Sequence, residues 1–435
     1  MNRVLRTNKN SKSVQQQPGT IGEIAVSPWS RRKFLANSTG LAIAGALGGF
    51  ASQPLASAAT GDFSFRVVAA ANMKARIGKA SGTNTKASGI STAAAQSSTP
   101  PTSYSKPRRI IIDTDPGIDD MMAIFLALRS PELKVEAITP VCGNVPLEYT
   151  LQNALHLLEV ADRTDVPVAA GASHPLVRRL VTSAHVHGAN GLGGVDFPKP
   201  KIKPVPATAP ELIRRLVRES PGEITIVAIG PLTNVALALR SDPDLAAMIP
   251  AIAIMGGSLS GGNITPAAEF NLYVDPEAAR IVFDAQIPLT MVGLDVTRKV
   301  LLQEHHIEEL EAAKNPVSQT AGKVMRATFE RMSHGGEVHV LAMHDPLTIA
   351  SLIVPDVITL KDYYVEVETL GEWTAGQTLG YDGHAPVRKS PPMETSAPGP
   401  AAQEEAFKAN AKVASTVDPD KFFQLLIPRL TGNPA

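Results

Sequence analysis

The chain has 435 residues, with 41 basic and 41 acidic side chains and a pI near 7.2. That length is enough for a large core, and the neutral balance leaves no electrostatic case for nucleic acid or an anionic membrane surface as partner. A single cysteine, Cys142, excludes an intrachain disulfide and says little about compartment.

The first hundred residues are unlike the rest. Ser30-Arg31-Arg32-Lys33-Phe34-Leu35 is a twin-arginine pattern, an Ala/Gly-rich apolar run follows from Leu41 to Phe50, and Ala56-Ser57-Ala58 reads as an A-x-A cleavage site. The run is too short to span a bilayer. The order of these features predicts a twin-arginine (Tat) signal over residues 1–58, passage through the Tat translocase, a periplasmic or secreted product, and no membrane span after cleavage. Residues 59–106 are rich in Ala, Ser, Thr and Gly. They cannot bury enough surface to offset chain entropy, which predicts a disordered linker. A folded domain is expected over 107–435.

That domain opens on Arg108-Arg109-Ile110-Ile111-Ile112-Asp113-Thr114-Asp115-Pro116-Gly117-Ile118-Asp119-Asp120. The β-branched run reads as a buried strand, Pro116-Gly117 breaks it, and apolar residues recur at helical spacing from Ile118. Asp113 and Asp115 therefore sit at the strand's C-terminal end, with Asp119 and Asp120 in the helix's first turn. The helix dipole accounts for one acidic residue there, but not for those on the strand. Carboxylates crowded into one crevice need protons or a cation, and an all-oxygen set favours Ca²⁺ or Mg²⁺.

The alternation continues. Val135–Val141, Val166–Ala169, Glu223–Ile229, Ala251–Met255, Leu289–Val292 and Val338–Met343 read as strands; Leu147–Val160, Leu232–Leu239 and Asp275–Asp284 read as helices. Thr208-Ala209-Pro210-Glu211 is a capping box opening a helix to about Glu219. Tyr363–Gly380 reads as strand, turn, strand; 389–404 as a Pro/Ser/Ala-rich loop insertion; Ala411–Thr416 as a strand and Asp418–Leu430 as a helix. This pattern predicts an α/β fold, an open and mostly parallel sheet flanked by helices, with its chemistry where strands end.

Asp113-Thr114-Asp115-Pro116-Gly117-Ile118-Asp119-Asp120 resembles the N-terminal signature of the inosine-uridine nucleoside hydrolases. These are calcium enzymes of Rossmann-like fold that split ribonucleosides into ribose and base. Other stretches match in family order: Cys142-Gly143-Asn144, the glycine-rich His185 to Gly194, Ile229-Gly230-Pro231, Gly261-Gly262-Asn263 with Glu269-Phe270-Asn271, and His344-Asp345-Pro346. By residue type alone Asn144 is equally a turn asparagine, and Asp345 equally a helix cap.

The resemblance implies Ca²⁺ held by Asp115, Asp120, Asp345 and the carbonyl of Ile229, with Asp115 as general base for an activated water. It implies Asp119, Asn144, Asn263, Glu269 and Asn271 on the ribose, His187 on a mobile loop near the base, His344 facing the leaving base, and Asp113 supporting the ligands from behind. A ribonucleoside substrate and a homo-oligomer, dimer or tetramer, also follow from it. Aspartate is usual in the family where Asn190 stands. His344, where purine-selective relatives carry tryptophan, leans towards the inosine-uridine branch. Two rivals stand beside this reading. Asp113-Thr114-Asp115 also resembles the nucleophile motif of haloacid-dehalogenase-type phosphatases, although Pro116-Gly117 does not continue that motif. An exported, non-catalytic nucleoside-binding protein would use the same scaffold.

Overall fold

The computed structural model describes residues 106–333, 340–382 and 408–432. The expected signal and linker, and the insertion at 389–404, lie outside the described residues.

In chain order the elements begin with β1 (Arg108–Thr114), α1 (Ile118–Leu128), β2 (Leu133–Pro140), α2 (Leu147–Val160), the single turn α3 (Ala184–His187) and α4 (Ala209–Glu219). Next come β3 (Ile224–Ala228), α5 (Thr233–Ser241), β4 (Ile252–Met255), α6 (Phe270–Val274), α7 (Pro276–Asp284), β5 (Leu289–Val292) and α8 (Leu294–Thr297). The last are β6 (Leu301–Leu302), α9 (Glu304–Ala312), α10 (Pro316–Met332), β7 (Leu341–Ala342), α11 (His344–Ile353), β8 (Ile358–Val367), β9 (Thr378–Tyr381), β10 (Ala411–Val417) and α12 (Pro419–Thr431).

Eight strands form one sheet in the order β2-β1-β3-β4-β5-β10-β8-β9. The pairs from β2 to β10 are parallel; β8 and β9 are antiparallel. Side chains of a strand alternate between faces, and β1 buries both. Ile110 and Ile112 pack with α1, α2, α10, α11 and α12, while Ile111 packs with α4, α5 and α7. That two-sided burial is why β1 reads as an unbroken apolar run. The chain passes from β1 to β2 on one side and returns to place β3 on the other. The strand order therefore reverses between β1 and β3, where open α/β sheets leave a crevice.

Two expectations are corrected, and α9 and α10 are additions to them. Val166–Ala169 is not a sheet strand: only Val168 bridges, to Ile138. Pro167 has no N–H to donate, so the segment merely covers the edge of β2, its Pro167 carbonyl accepting from Ile138 at 3.0 Å. The strand expected before His344 is the two-residue β7, which pairs with β6 outside the main sheet. Helices α9 and α10 were not read from the sequence, although Asn315-Pro316 is a capping signal and the Asn315 carboxamide accepts the N–H of Ser318 at 2.9 Å. Among the described residues no helix is long and apolar enough to cross a membrane.

Candidate active site

The turn between β1 and α1 is built around Asp120. Its carboxylate accepts from the Thr114 hydroxyl at 2.6 Å, the Asp115 N–H at 3.2 Å, the Gly117 N–H at 2.9 Å and the Asn144 amide at 3.0 Å. One side chain thus satisfies two backbone donors of a chain reversing from strand to helix. Asn144, arriving after β2, also donates its backbone N–H to Asp115 Oδ2 at 2.7 Å and its amide to the Asp115 carbonyl at 3.1 Å. Its side-chain oxygen Oδ1 accepts from Ser183 Oγ at 2.7 Å. Asn144 lines the cavity above, but its amide spends itself on the aspartates.

Asp115 fits between two glycines. A β-carbon at Gly143 would overlap its Oδ2, and one at Gly230 would lie 2.5 Å from its Oδ1. That Oδ1 is buried and has no hydrogen-bond partner. Oxygens of Asp119, Asp120 and Asp345 all lie within 4.8 Å of one another, the three residues buried. Burial first, then neighbouring carboxylates, raise Asp115 and Asp345 well above the usual carboxylate range, and Asp119 to about 7. Burial also raises Asp120, against the hydrogen bonds it accepts. Like charges this close, with an orphaned oxygen beside them and only oxygen donors, fit a hard divalent cation. The tightest triad includes Asp119, which had been expected on the ribose; its side chain also lines the cavity.

Asp113 lies deeper. Its Oδ2 accepts from Thr139 Oγ1 at 2.6 Å and Asn234 Nδ2 at 2.9 Å, and burial raises it to about 7. It lines no part of the cavity; its carbonyl accepts the Ile229 N–H at 2.7 Å and so anchors the loop after β3. A carboxylate enclosed in this way cannot reach a substrate, which removes the phosphatase reading.

Above the carboxylates opens a cavity of about 300 Å³. Asp119, Asn144, His187, Ile229, Asn263, Glu269, Asn271, His344 and Asp345 all line it, with Asp115 and Asp120 beneath. Glu269 caps α6, taking the N–H groups of Asn271 at 2.9 Å and Gly257 at 3.0 Å, and burial lifts it to about 7. The Asn271 amide donates to the carbonyls of Ile229 and Met255, each at 3.1 Å. Asn263 rides a loop whose Gly261 and Gly262 carbonyls accept from Arg298. His344 Nδ1 lies 2.7 Å from Thr297 Oγ1; burial, then Arg298, lower it to about 4. His187 Nδ1 accepts the Ile118 N–H at 3.1 Å, and burial lowers it to about 3. Although Asp119 is 4.0 Å away, the ring is neutral and forms no ion pair with it.

The sequence reading missed several residues that hold this arrangement: Thr114, Asn153, Ser183, Asn234, Thr297 and Arg331. Asn153 gave a signal. It interrupts the apolar face of α2, and a buried amide must be bonded; it donates to the carbonyls of Pro116 and Asn190, each at 2.9 Å. Asn190 in turn accepts from Leu192 and Gly194 and donates to the Val195 carbonyl at 2.8 Å, a bond that aspartate could not make.

Residues 110–424 match the family model "Inosine-uridine preferring nucleoside hydrolase". The chain is similar to the pyrimidine-specific ribonucleoside hydrolase RihA of Enterobacter sp. (strain 638), 47% identical over 273 residues, 62% of this chain and 87% of that protein. RihA of Salmonella agona (strain SL483) is 48% identical over 271 residues, with the same shares. Among solved structures, the plant nucleoside hydrolase PpNRh1 superposes with a TM-score of 0.66 at 37% identity, over 75% of this chain and 100% of that one. The purine-preferring ribonucleoside hydrolase from Gardnerella vaginalis gives 0.66 at 29% identity, over 75% and 98%. With the β1–α1 carboxylates and the cavity above them at the switch point of such a sheet, this chain belongs to the inosine-uridine preferring nucleoside hydrolase family and is a hydrolase of N-glycosyl bonds, releasing ribose and base from ribonucleosides.

Proposed function

We propose that the protein is a calcium-dependent ribonucleoside hydrolase that favours pyrimidine nucleosides and works outside the cytoplasm after Tat export. The observation that carries the mechanism is the convergence of four buried carboxylates under one cavity, with Asp115 Oδ1 left without a partner. Asp115, Asp120, Asp345 and the Ile229 carbonyl would hold the ion. Bound there, a hard divalent cation polarises water and lowers its pKa.

Asp115 takes the proton of the attacking water, its carboxylate oriented by the Asn144 N–H. Asp119, Asn263, Glu269 and Asn271 hold the ribose hydroxyls, the carboxylates accepting, the Asn263 amide doing both, and Asn271 accepting through Oδ1 because its N–H groups serve the Ile229 and Met255 carbonyls. Fixing the ring orients the anomeric carbon for attack, through an oxocarbenium-like transition state. Asn144 contributes by holding Asp115 and Asp120. In the tautomer whose Nδ1 accepts from the Thr297 hydroxyl, the neutral His344 presents Nε2–H to the departing base. His187 borders the same space from α3. The pyrimidine preference draws on the RihA relatives. Assembly as a dimer or tetramer remains part of this proposal.

The test is ribose release from uridine, cytidine, inosine and adenosine, with processed protein before and after chelation. Pyrimidine nucleosides should turn over fastest. Chelation should abolish activity and Ca²⁺ restore it. Full activity in protein stripped of metal, verified by elemental analysis, overturns the mechanism.

A further inference from the structure

Val324, Thr328 and Arg331 stand at spacings of four and three on α10, hence on one face. That face carries the segment from His185 to Gly193. Gly193, at φ 68°, packs so near the helix that a β-carbon there would come within 2.8 Å of Thr328 Oγ1 and 3.2 Å of the Val324 carbonyl. At the other end of the segment, Arg331 donates Nη1 to the His185 carbonyl at 3.0 Å and Nη2 to the Val186 carbonyl at 2.5 Å. These carbonyls belong to α3, four residues long. One turn does not sustain itself, and its last carbonyls have no helical donor.

His187 follows directly. Its Nδ1 receives the N–H of Ile118, the first residue of α1. The cap position there is Gly117, which has no side chain to offer, and a β-carbon on it would collide with the His187 ring. His187 therefore caps, from a distant segment, the helix whose first turn carries Asp119 and Asp120.

We propose that Arg331 is a positioning residue for nucleoside binding: by holding the His185 and Val186 carbonyls it keeps His187 against the first turn of α1 and sets Asp119 in the cavity wall. The inference rests on this cavity being the active site. A guanidinium can serve two carbonyls at once through its fixed fork, whereas an ammonium is a single point donor.

The experiment compares R331M, R331K, H187A and the double variant R331M/H187A in the full processed protein with uridine. R331M should raise KM by about 10- to 100-fold, the scale of a misplacement remote from the chemistry. With kcat little changed, the loss is one of binding. R331K should recover part of it. On the H187A background R331M should add nothing, since the two act through one contact. A wild-type KM in R331M, or a full additional loss on H187A, overturns the inference. If R331M does not fold, R331K decides: a raised KM supports the role, and an unchanged KM overturns it. Wild-type protein that releases no ribose from any nucleoside would defeat the active-site reading instead, so the two failures are told apart.

Discussion

Asp115 and Asp113 lie two positions apart and do different things. Each leaves its Oδ1 without a hydrogen-bond partner, but Asp115 is wedged between Gly143 and Gly230 beneath the cavity, while Asp113 is held in the core through Oδ2 by Thr139 and Asn234. Asp115→Ala should lower kcat by at least the roughly 10²–10⁴-fold that general base catalysis supplies. Asp113→Ala should cost less activity and more stability, because it opens a space in the core and takes the nearest acceptor from the Asn234 amide, leaving it the longer bonds to the Thr139 and Pro140 carbonyls. A steady-state kcat that falls further at Asp113 than at Asp115 would contradict this assignment. For His344, loss of the ring should slow uridine hydrolysis by roughly 10²–10⁴-fold. A nitrophenyl riboside, whose leaving group needs no proton, should stay within about tenfold on the same reasoning. Equal losses on both substrates would mean that His344 supports the site through Thr297 and not the base.

Glu269 shows how a short element becomes part of a site. Helix α6 has five residues and depends on the Glu269 carboxylate for the donors of its first turn. Burial moves that carboxyl from 4.5 to about 7. Between those two values the folded protein binds the proton and the unfolded chain does not, so stability falls as pH rises. Glu269's contribution is fully present below 4.5 and is lost as pH passes through about 7. Urea melts at pH 5 and pH 7.5 should therefore show wild type weaker at the higher value, with a smaller difference in Glu269→Gln. An unchanged difference would assign the slope to other groups. The same logic connects α1 to the rest: Asp120 organises the turn, His187 caps the helix, and Asn153 fastens the preceding Pro116 carbonyl to the 190 loop.

At the scale of the molecule, the reversal of strand order between β1 and β3 gathers the ends of β1 and β3 into one crevice, and the loops after β2 and β4 close around it. Side chains far apart in sequence, from Asp115 to Asp345, meet there, the last of them brought in by β7 and α11 from beside the main sheet. The N-terminal features address a different question, where this site works. The mature protein should begin near Ala59 outside the cytoplasm, and Arg31→Lys with Arg32→Lys should block export. N-terminal sequencing and fractionation check both points; normal export of the double variant would end the Tat assignment.

Local chemistry determined much of this protein. β-Branched runs marked the buried strands, Thr208-Ala209-Pro210-Glu211 located the start of α4, and Asp-Pro-Gly-Ile-Asp-Asp placed carboxylates at a strand end and in the adjoining first turn. The short motifs, through the family they resemble, indicated which residues would meet; a parallel sheet puts most of them at its strand ends on one edge, while His344 and Asp345 follow β7 outside that sheet. Only the tertiary structure decided what each side chain does there. That Asn144 serves the aspartates, that Asp119 joins the oxygen triad, and that Asp113 is enclosed follow from partners tens of residues away. No local pattern encodes such distances. Arg331 lies near the end of a helix that the sequence reading passed over, and nothing in its neighbours indicates that its guanidinium holds two carbonyls 145 and 146 positions upstream.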